Sequence, residues 1–352
     1  MTRRGIAGAA GAVMGLAAAA VAAGLAVERV AIGRARIGVD EGVGEPFGRL
    51  TADDEVTVHT ADGVDLHVEV VGRNAAELTV LFVHGYCLDL GTWHFQRRGL
   101  ADPRLRMVFY DQRGHGRSTA GAPAGCTIEQ LGRDLAAVIE ASAATGPLVL
   151  CGHSMGGMAI MALAEQRRDL IAERVVGVAL ISSSGGDLDT VSFGMPRLVS
   201  AIRKPLTPLL VAGLHSRARL LEHARGRGSD AVWLATRRWA FGTRDVSPAL
   251  VDYVERMNSG TPVSTVAAFL TTLSAHQRYD ALSIFDGVET LVLGGDRDLM
   301  TPLEHSRKLA EAMPWSEFVA VAGGAHLMLM DHAGEVNRHL RAFLSRAARA
   351  VP

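Results

Sequence analysis

The chain has 352 residues, 48% hydrophobic and 21% charged, with 12 prolines. That is enough apolar material for a buried core, and it excludes a disordered polar chain or a collagen-like one. Lys and Arg number 36 against 37 Asp and Glu, a formal charge of -1; no field favours nucleic acid, and none is expected as a partner. Cys87, Cys126 and Cys151 cannot pair completely and lack zinc-ligand spacing, which excludes a disulfide scaffold and a zinc ribbon. At about 150 residues per domain, the length fits two units or one α/β domain carrying an insertion.

No charged residue lies between Arg4 and Glu28, and Gly5 to Val27 as a helix would reach ~34 Å, enough for a ~30 Å hydrocarbon core. Residues 1–29 are therefore expected to form an N-terminal hydrophobic helix, either a membrane anchor or a signal. Arg3 and Arg4 make a basic start, and Ala20-Val21-Ala22 offers a small-residue cleavage site. The apolar run nevertheless exceeds the ~7–15 residues of a signal core. This favours membrane association through residues 5–27, with export after cleavage as the alternative. Residues 30–54 are Gly-rich, mixed in charge and aperiodic, as in a linker.

Short apolar runs then predict strands at Val56–His59, Leu66–Val71, Thr79–Val83, Met107–Tyr110, Leu148–Cys151, Val176–Ile181, Thr290–Leu293 and Phe318–Val321. Helical patterns over Ile128–Ala141, Met155–Arg168, Leu303–Met313 and Gly334–Ala347 lie between several of them. Strands apolar on both faces and separated by helices define the α/β class, with a mostly parallel central sheet covered on both sides. The core is expected in two parts, 55–184 and 286–352. Between them, 185–285 has amphipathic helical stretches and no strand pattern, and is expected to be an inserted helical cap. If the cap covers a site, Trp239 and Phe241 are candidates to meet the substrate.

The most specific chemical signal is Gly152-His153-Ser154-Met155-Gly156-Gly157, between a strand and a helix. This is G-x-S-x-G in its strand-turn-helix context, which projects Ser154 from the sheet edge at a helix N-terminus. A serine hydroxyl is a weak nucleophile unless a base takes its proton, and that base needs a carboxylate to orient it. Asp298 follows the strand Thr290–Leu293, and His326 follows Phe318–Val321 and a Gly-Gly pair. The chain order Ser154, Asp298, His326 is the one this turn demands, with Asp296 and His332 as rivals. The Asp296-x-Asp298 pair lacks the other positions of a calcium loop, so no metal is expected.

Taken with His84-Gly85 and the loop Asp111-Gln112-Arg113-Gly114-His115-Gly116-Arg117-Ser118, these motifs resemble the α/β-hydrolase superfamily from about Asp54 to the C-terminus. The resemblance implies a serine-nucleophile, esterase- or lipase-like enzyme with catalytic Ser154, Asp298 and His326, the Gly-x-x-Asp pattern selecting Asp298 over Asp296. It also implies an oxyanion hole made by the main-chain N–H groups of Tyr86 and Met155. Cys87, next to that loop, is a further candidate to touch the substrate. The implied reaction is cleavage of a small-molecule carboxylic ester with an apolar portion, through an acyl-enzyme and without a cofactor. Carbon–carbon bond hydrolases, perhydrolases, thioesterases and acyltransferases keep the serine and remain alternatives. A membrane-tethered, non-catalytic ligand-binding module is the alternative from another class. His84 and His115 are expected to bond backbone, His153 to pack in the turn, and Cys151 to be buried.

Overall fold

A computed structural model of the protein describes residues 44–73, 76–191, 230–242 and 246–350. The apolar run 5–27 and much of the interval 185–285 lie outside them; among the described residues no helix is long and apolar enough to cross a membrane. The strands are β1 (Asp54–His59), β2 (Asp65–Val71), β3 (Leu78–Val83), β4 (Leu105–Tyr110), β5 (Leu148–His153), β6 (Val175–Ile181), β7 (Glu289–Gly295) and β8 (Glu317–Val321). The helices are α1 (His94–Gly99), α2 (Ile128–Ser142), α3 (Met155–Gln166), α4 (Arg168–Arg174), α5 (Asp230–Ala240), α6 (Pro248–Gly260), α7 (Val263–Ser274), α8 (Leu303–Ala312), α9 (Met328–Asp331) and α10 (Ala333–Arg349).

The strands form one sheet in the order β1-β2-β4-β3-β5-β6-β7-β8. β2 runs antiparallel to both of its neighbours, and the remaining pairs are parallel. Successive side chains of a strand point to opposite faces, so the apolar runs feed two cores. Leu81, Val83, Leu148 and Leu150 join the core beneath α2 and α3, whereas Val80, Phe82, Val149 and Cys151 join the one beneath α10 and α6. Phe82 and Phe109 are paired across β3 and β4 and stack with centroids 4.7 Å apart.

Local chemistry sets the helix ends. Thr127 caps α2 by accepting the Gln130 N–H at 3.1 Å, and Ile128, Leu131, Leu135, Val138 and Ile139 make its buried stripe. α3 is buried at every position from Met155 to Ala164, as expected of a helix wedged between sheet and α2. The single helix expected over Met155–Arg168 is instead divided, because Arg167 adopts an extended φ of -134° that ends α3 and starts α4.

Between β6 and β7 the described residues contain helices and no strand. α6 contributes Leu250, Val251, Val254 and Met257 to the second core. Part of the range expected to be a linker is fastened to the body. Phe47 stacks on Tyr253 of α6 at 4.8 Å and meets Phe95 of α1 edge-on, while Glu45 accepts from His94 Nε2 at 2.7 Å and pairs with Arg98.

The loop after β4 is anchored by Arg113, whose side chain is fully buried. Its guanidinium donates to Asp134 at 2.6 and 2.7 Å and to Asp62 at 2.8 and 3.1 Å, two forked pairs from one side chain. Those bonds hold the Asp62 carboxyl down to about 2. Replacing Arg113 by Met should strand the buried Asp134 carboxylate and cost about 3–5 kcal/mol, read as a lower urea midpoint. A loss under about 1 kcal/mol, the worth of an exposed pair, would show that the loop is held by other means.

Candidate active site

Ser154 joins β5 to α3 with φ 53° and ψ -119°, a conformation that costs a non-glycine residue about 1–3 kcal/mol. Surrounding hydrogen bonds over-determine it: Ser154 N–H donates to Ile181 O at 2.9 Å, Gly157 N–H to Ser154 O at 3.0 Å, and Ser183 Oγ to Ser154 O at 2.8 Å. A Cβ on Gly156 would stand 2.1 Å from Val83 O, so only glycine lets α3 begin this close to the end of β3.

The turn brings three of the expected residues together. Ser154 Oγ lies 3.0 Å from His326 Nε2, and His326 Nδ1 lies 2.9 Å from Asp298 Oδ2. A carboxylate only accepts, so the ring proton sits on Nδ1, and the Nε2 lone pair is left facing the serine hydroxyl. Asp298 is held by an Asx-type turn in which the Met300 and Thr301 N–H groups donate to Oδ1 at 2.8 and 2.9 Å. Burial alone would raise its carboxyl, but the His326 ring and these backbone donors keep it below the usual carboxylate range. All three side chains are nearly inaccessible, which strengthens each interaction.

The rivals fall elsewhere. Asp296 is exposed and accepts the Gly323 N–H at 2.8 Å, while His332 pairs with Asp331 at 2.9 Å. Met155 is the first residue of α3, where helix N–H groups have no partner inside the helix. The Tyr86 hydroxyl donates to Val266 O of α7, tying the loop after β3 to that helix. Cys87 is half-buried, with φ 59°. Trp239 is 42% exposed, and Phe241 is buried in the apolar cluster that includes Leu327.

His84 Nδ1 donates to Gly85 O at 2.7 Å while its Nε2 accepts the Gln112 N–H at 2.9 Å, and His115 Nδ1 donates to Arg113 O at 2.9 Å. Both rings bond backbone, as the sequence suggests. Three contacts, made by two side chains, are not indicated by the sequence motifs. His153 donates to the His326 carbonyl, and the Thr301 hydroxyl lies 2.9 Å from Asp298 Oδ2 and 2.8 Å from Ser182 O. Thr301 was the findable one, because a hydroxyl three residues after an aspartate is a turn signal. Among the described residues no cluster of His, Cys, Asp or Glu could hold a metal ion.

Residues 79–333 match the alpha/beta hydrolase fold family, and the chain belongs to it. Two curated relatives are each 26% identical. One is a putative carbamate hydrolase of Variovorax paradoxus, matched over 82% of this chain and 99% of the relative. The other is the acetyltransferase component of an acetoin cleaving system of Pseudomonas putida, matched over 76% of this chain and 63% of the relative. A solved esterase from Thermogutta terrifontis is 27% identical and superposes with a TM-score of 0.64 over 84% of this chain and 99% of its own. The protein is thus an enzyme of the α/β-hydrolase family, with esterases and other hydrolases among its relatives.

Several histidines around this site are buried and neutral. Desolvation lowers His115 and His276 to about 4 and His153 to about 3, and drives His84 well below 6.5. The unfolded chain takes up these protons near pH 6.5, so it binds more of them than the folded state, and stability falls as the pH is lowered from about 6.5 to about 4. Burial raises the carboxyls of Asp89, Asp111 and Asp331, which act in the opposite sense, but with His94 and His305 also lowered by burial they are three groups against six. The melting temperature should be lower at pH 5.0 than at pH 7.5 by calorimetry. An equal or higher value at pH 5.0 would mean that the histidines accept protons without unfolding.

Proposed function

We propose that the enzyme is a serine hydrolase that cleaves a carboxylic ester with an apolar portion through an acyl-enzyme. The observation that carries this reading is the hydrogen-bonded relay from Ser154 Oγ through His326 to Asp298, at 3.0 and 2.9 Å, on a strained turn. His326 Nε2 takes the serine proton as Oγ attacks the carbonyl carbon, and Asp298 stabilises the imidazolium that forms. The tetrahedral oxyanion accepts from the main-chain N–H groups of Met155 and Tyr86, aided by the N-terminal end of the α3 dipole. His326 then returns the proton to the leaving alcohol. In the second half-reaction it deprotonates water, whose oxygen attacks the acyl carbon and releases the acid and a restored Ser154. The Thermogutta esterase, matched over nearly its whole length, supports an ester ahead of a carbon–carbon bond or a transfer reaction.

Hydrolysis of p-nitrophenyl esters from acetate to long acyl chains tests the reading. Ser154→Ala should lower kcat by about 10⁴-fold or more and Asp298→Asn by about 10⁴-fold. Asp296→Asn should stay within a few-fold, because its one bond is to a loop N–H. Turnover that survives in Ser154→Ala would end the serine mechanism, and equal losses at the two aspartates would remove Asp298 as the sole acid partner.

A further inference from the structure

The last residue of β5, His153, is fully buried and immediately precedes Ser154. Its Nε2 lies 2.9 Å from the main-chain carbonyl of His326, and the two rings pack with centroids 4.9 Å apart. A carbonyl cannot donate, so the His153 proton is on Nε2, and Nδ1 has no hydrogen-bond partner among the described residues. The other ring edge meets the loop after β3, since a Cβ on Gly85 would stand 2.8 Å from His153 Nδ1 and 3.2 Å from Ser154 Cβ. The side chain next to Ser154 therefore touches both the backbone that carries His326 and the loop that carries Tyr86.

We infer that His153 is a positioning residue for His326, its Nε2–H bond to the His326 carbonyl setting the gap between His326 Nε2 and Ser154 Oγ. The inference rests on the catalytic reading of Ser154 and His326. Its physical basis is the shortness of the linkage. Ser154 and the anchor for His326 are consecutive residues at a strand end, so the separation of nucleophile and base does not depend on the independent placement of two loops. The next residue of the His326 loop is fixed from the opposite side, where Leu327 N–H donates to Ala240 O at 2.9 Å. Burial, and after it the nearby His326 ring, lower His153 to about 3, so the ring stays neutral through the working range and its single N–H is permanently committed. Without that donor the carbonyl is buried and unpaired, and the loop must shift to find a partner. A displacement near 1 Å between reacting groups costs about 10²-fold in rate.

The test compares the full-length wild type with His153→Gln, which keeps an N–H of similar reach, and with His153→Phe and His153→Met, which fill space without a donor. Folding is checked by circular dichroism; the two donor-less variants cover for each other if one does not fold. In Phe or Met, kcat for an active p-nitrophenyl ester should fall about 10- to 100-fold with KM within about 2-fold, and Gln should recover most of the loss. Folded Phe or Met with wild-type kcat, a loss residing in KM, or Gln as impaired as Phe would each overturn the inference. Labelling of the wild type by a fluorophosphonate separates the two readings. If Ser154 does not label, the catalytic reading fails and takes this inference with it. If it labels and the variants match wild type, only the role of His153 fails.

Discussion

The left-handed turn at Ser154 is the constraint on which the site is built. A strand that ends at His153 and a helix that begins at Met155 leave one residue to reverse the chain, and Ser154 takes φ 53° to do so. Such a backbone persists only where its surroundings leave no alternative. Here they are the Ile181 carbonyl, the Ser183 hydroxyl and the missing Cβ of Gly156, which brings α3 against the carbonyls of Val83 and His84. The same approach that strains the serine sets the start of α3 beside the loop after β3. The strained hydroxyl and the polar helix end thus come from one piece of geometry.

The strand order explains why the functional groups converge. The chain places β4 on one side of β3 and β5 on the other, which makes the carboxyl ends of β3 and β5 a topological switch point, where parallel sheets place their sites. Ser154 follows β5 and Tyr86 follows β3, on the two sides of that point. β7 and β8 pair beyond β6, Gly295 opposite Val321, and deliver Asp298 and His326 from the same sheet end. The segment that follows β6 fills the space between with Ser182, Ser183 and Ser184, all fully buried. Ser182 receives the Thr301 hydroxyl through its carbonyl, and Ser183 bonds the carbonyl of Ser154. Asp298 is buried without losing its charge because each carboxylate oxygen meets a donor, and an unpaired carboxylate at that depth would be protonated instead.

Much of the fold was legible because apolar runs bounded by turn residues are what a doubly covered sheet requires. The strand cores were readable from Thr79–Val83, Leu148–Cys151 and Thr290–Leu293, and the structure extends them at their ends. Gly294 and Gly295 have poor strand propensity, yet they lengthen β7 because Ala320 and Val321 pair with them; pairing across strands overrides what a residue prefers alone. α1 was missed because six residues carry too little periodicity to register. Meeting of Ser154, Asp298 and His326 was foreseeable from motif and chain order. The support around them was not, because it is made of main-chain acceptors. His153 bonds a carbonyl, Thr301 another, and no residue type marks a carbonyl in a sequence. The double fork of Arg113 was equally hidden, since Asp62 and Asp134 lie 51 and 21 residues away and only the folded chain makes them neighbours.

The same property of main-chain acceptors bears on the helices between β6 and β7. Three of their ties to the site are made through carbonyls: Ala240 O accepts from Leu327 beside His326, Gly242 O from the Arg297 guanidinium beside Asp298, and Val266 O from the Tyr86 hydroxyl. A carbonyl is present whatever side chain the position carries. These three bonds therefore do not depend on which side chains positions 240, 242 and 266 carry. That is why the aromatic residues of this interval, Trp239 and Phe241, are poor guides to its role. Phe241 is spent on the core, and the segment's grip on the site runs through the peptide groups on either side of it.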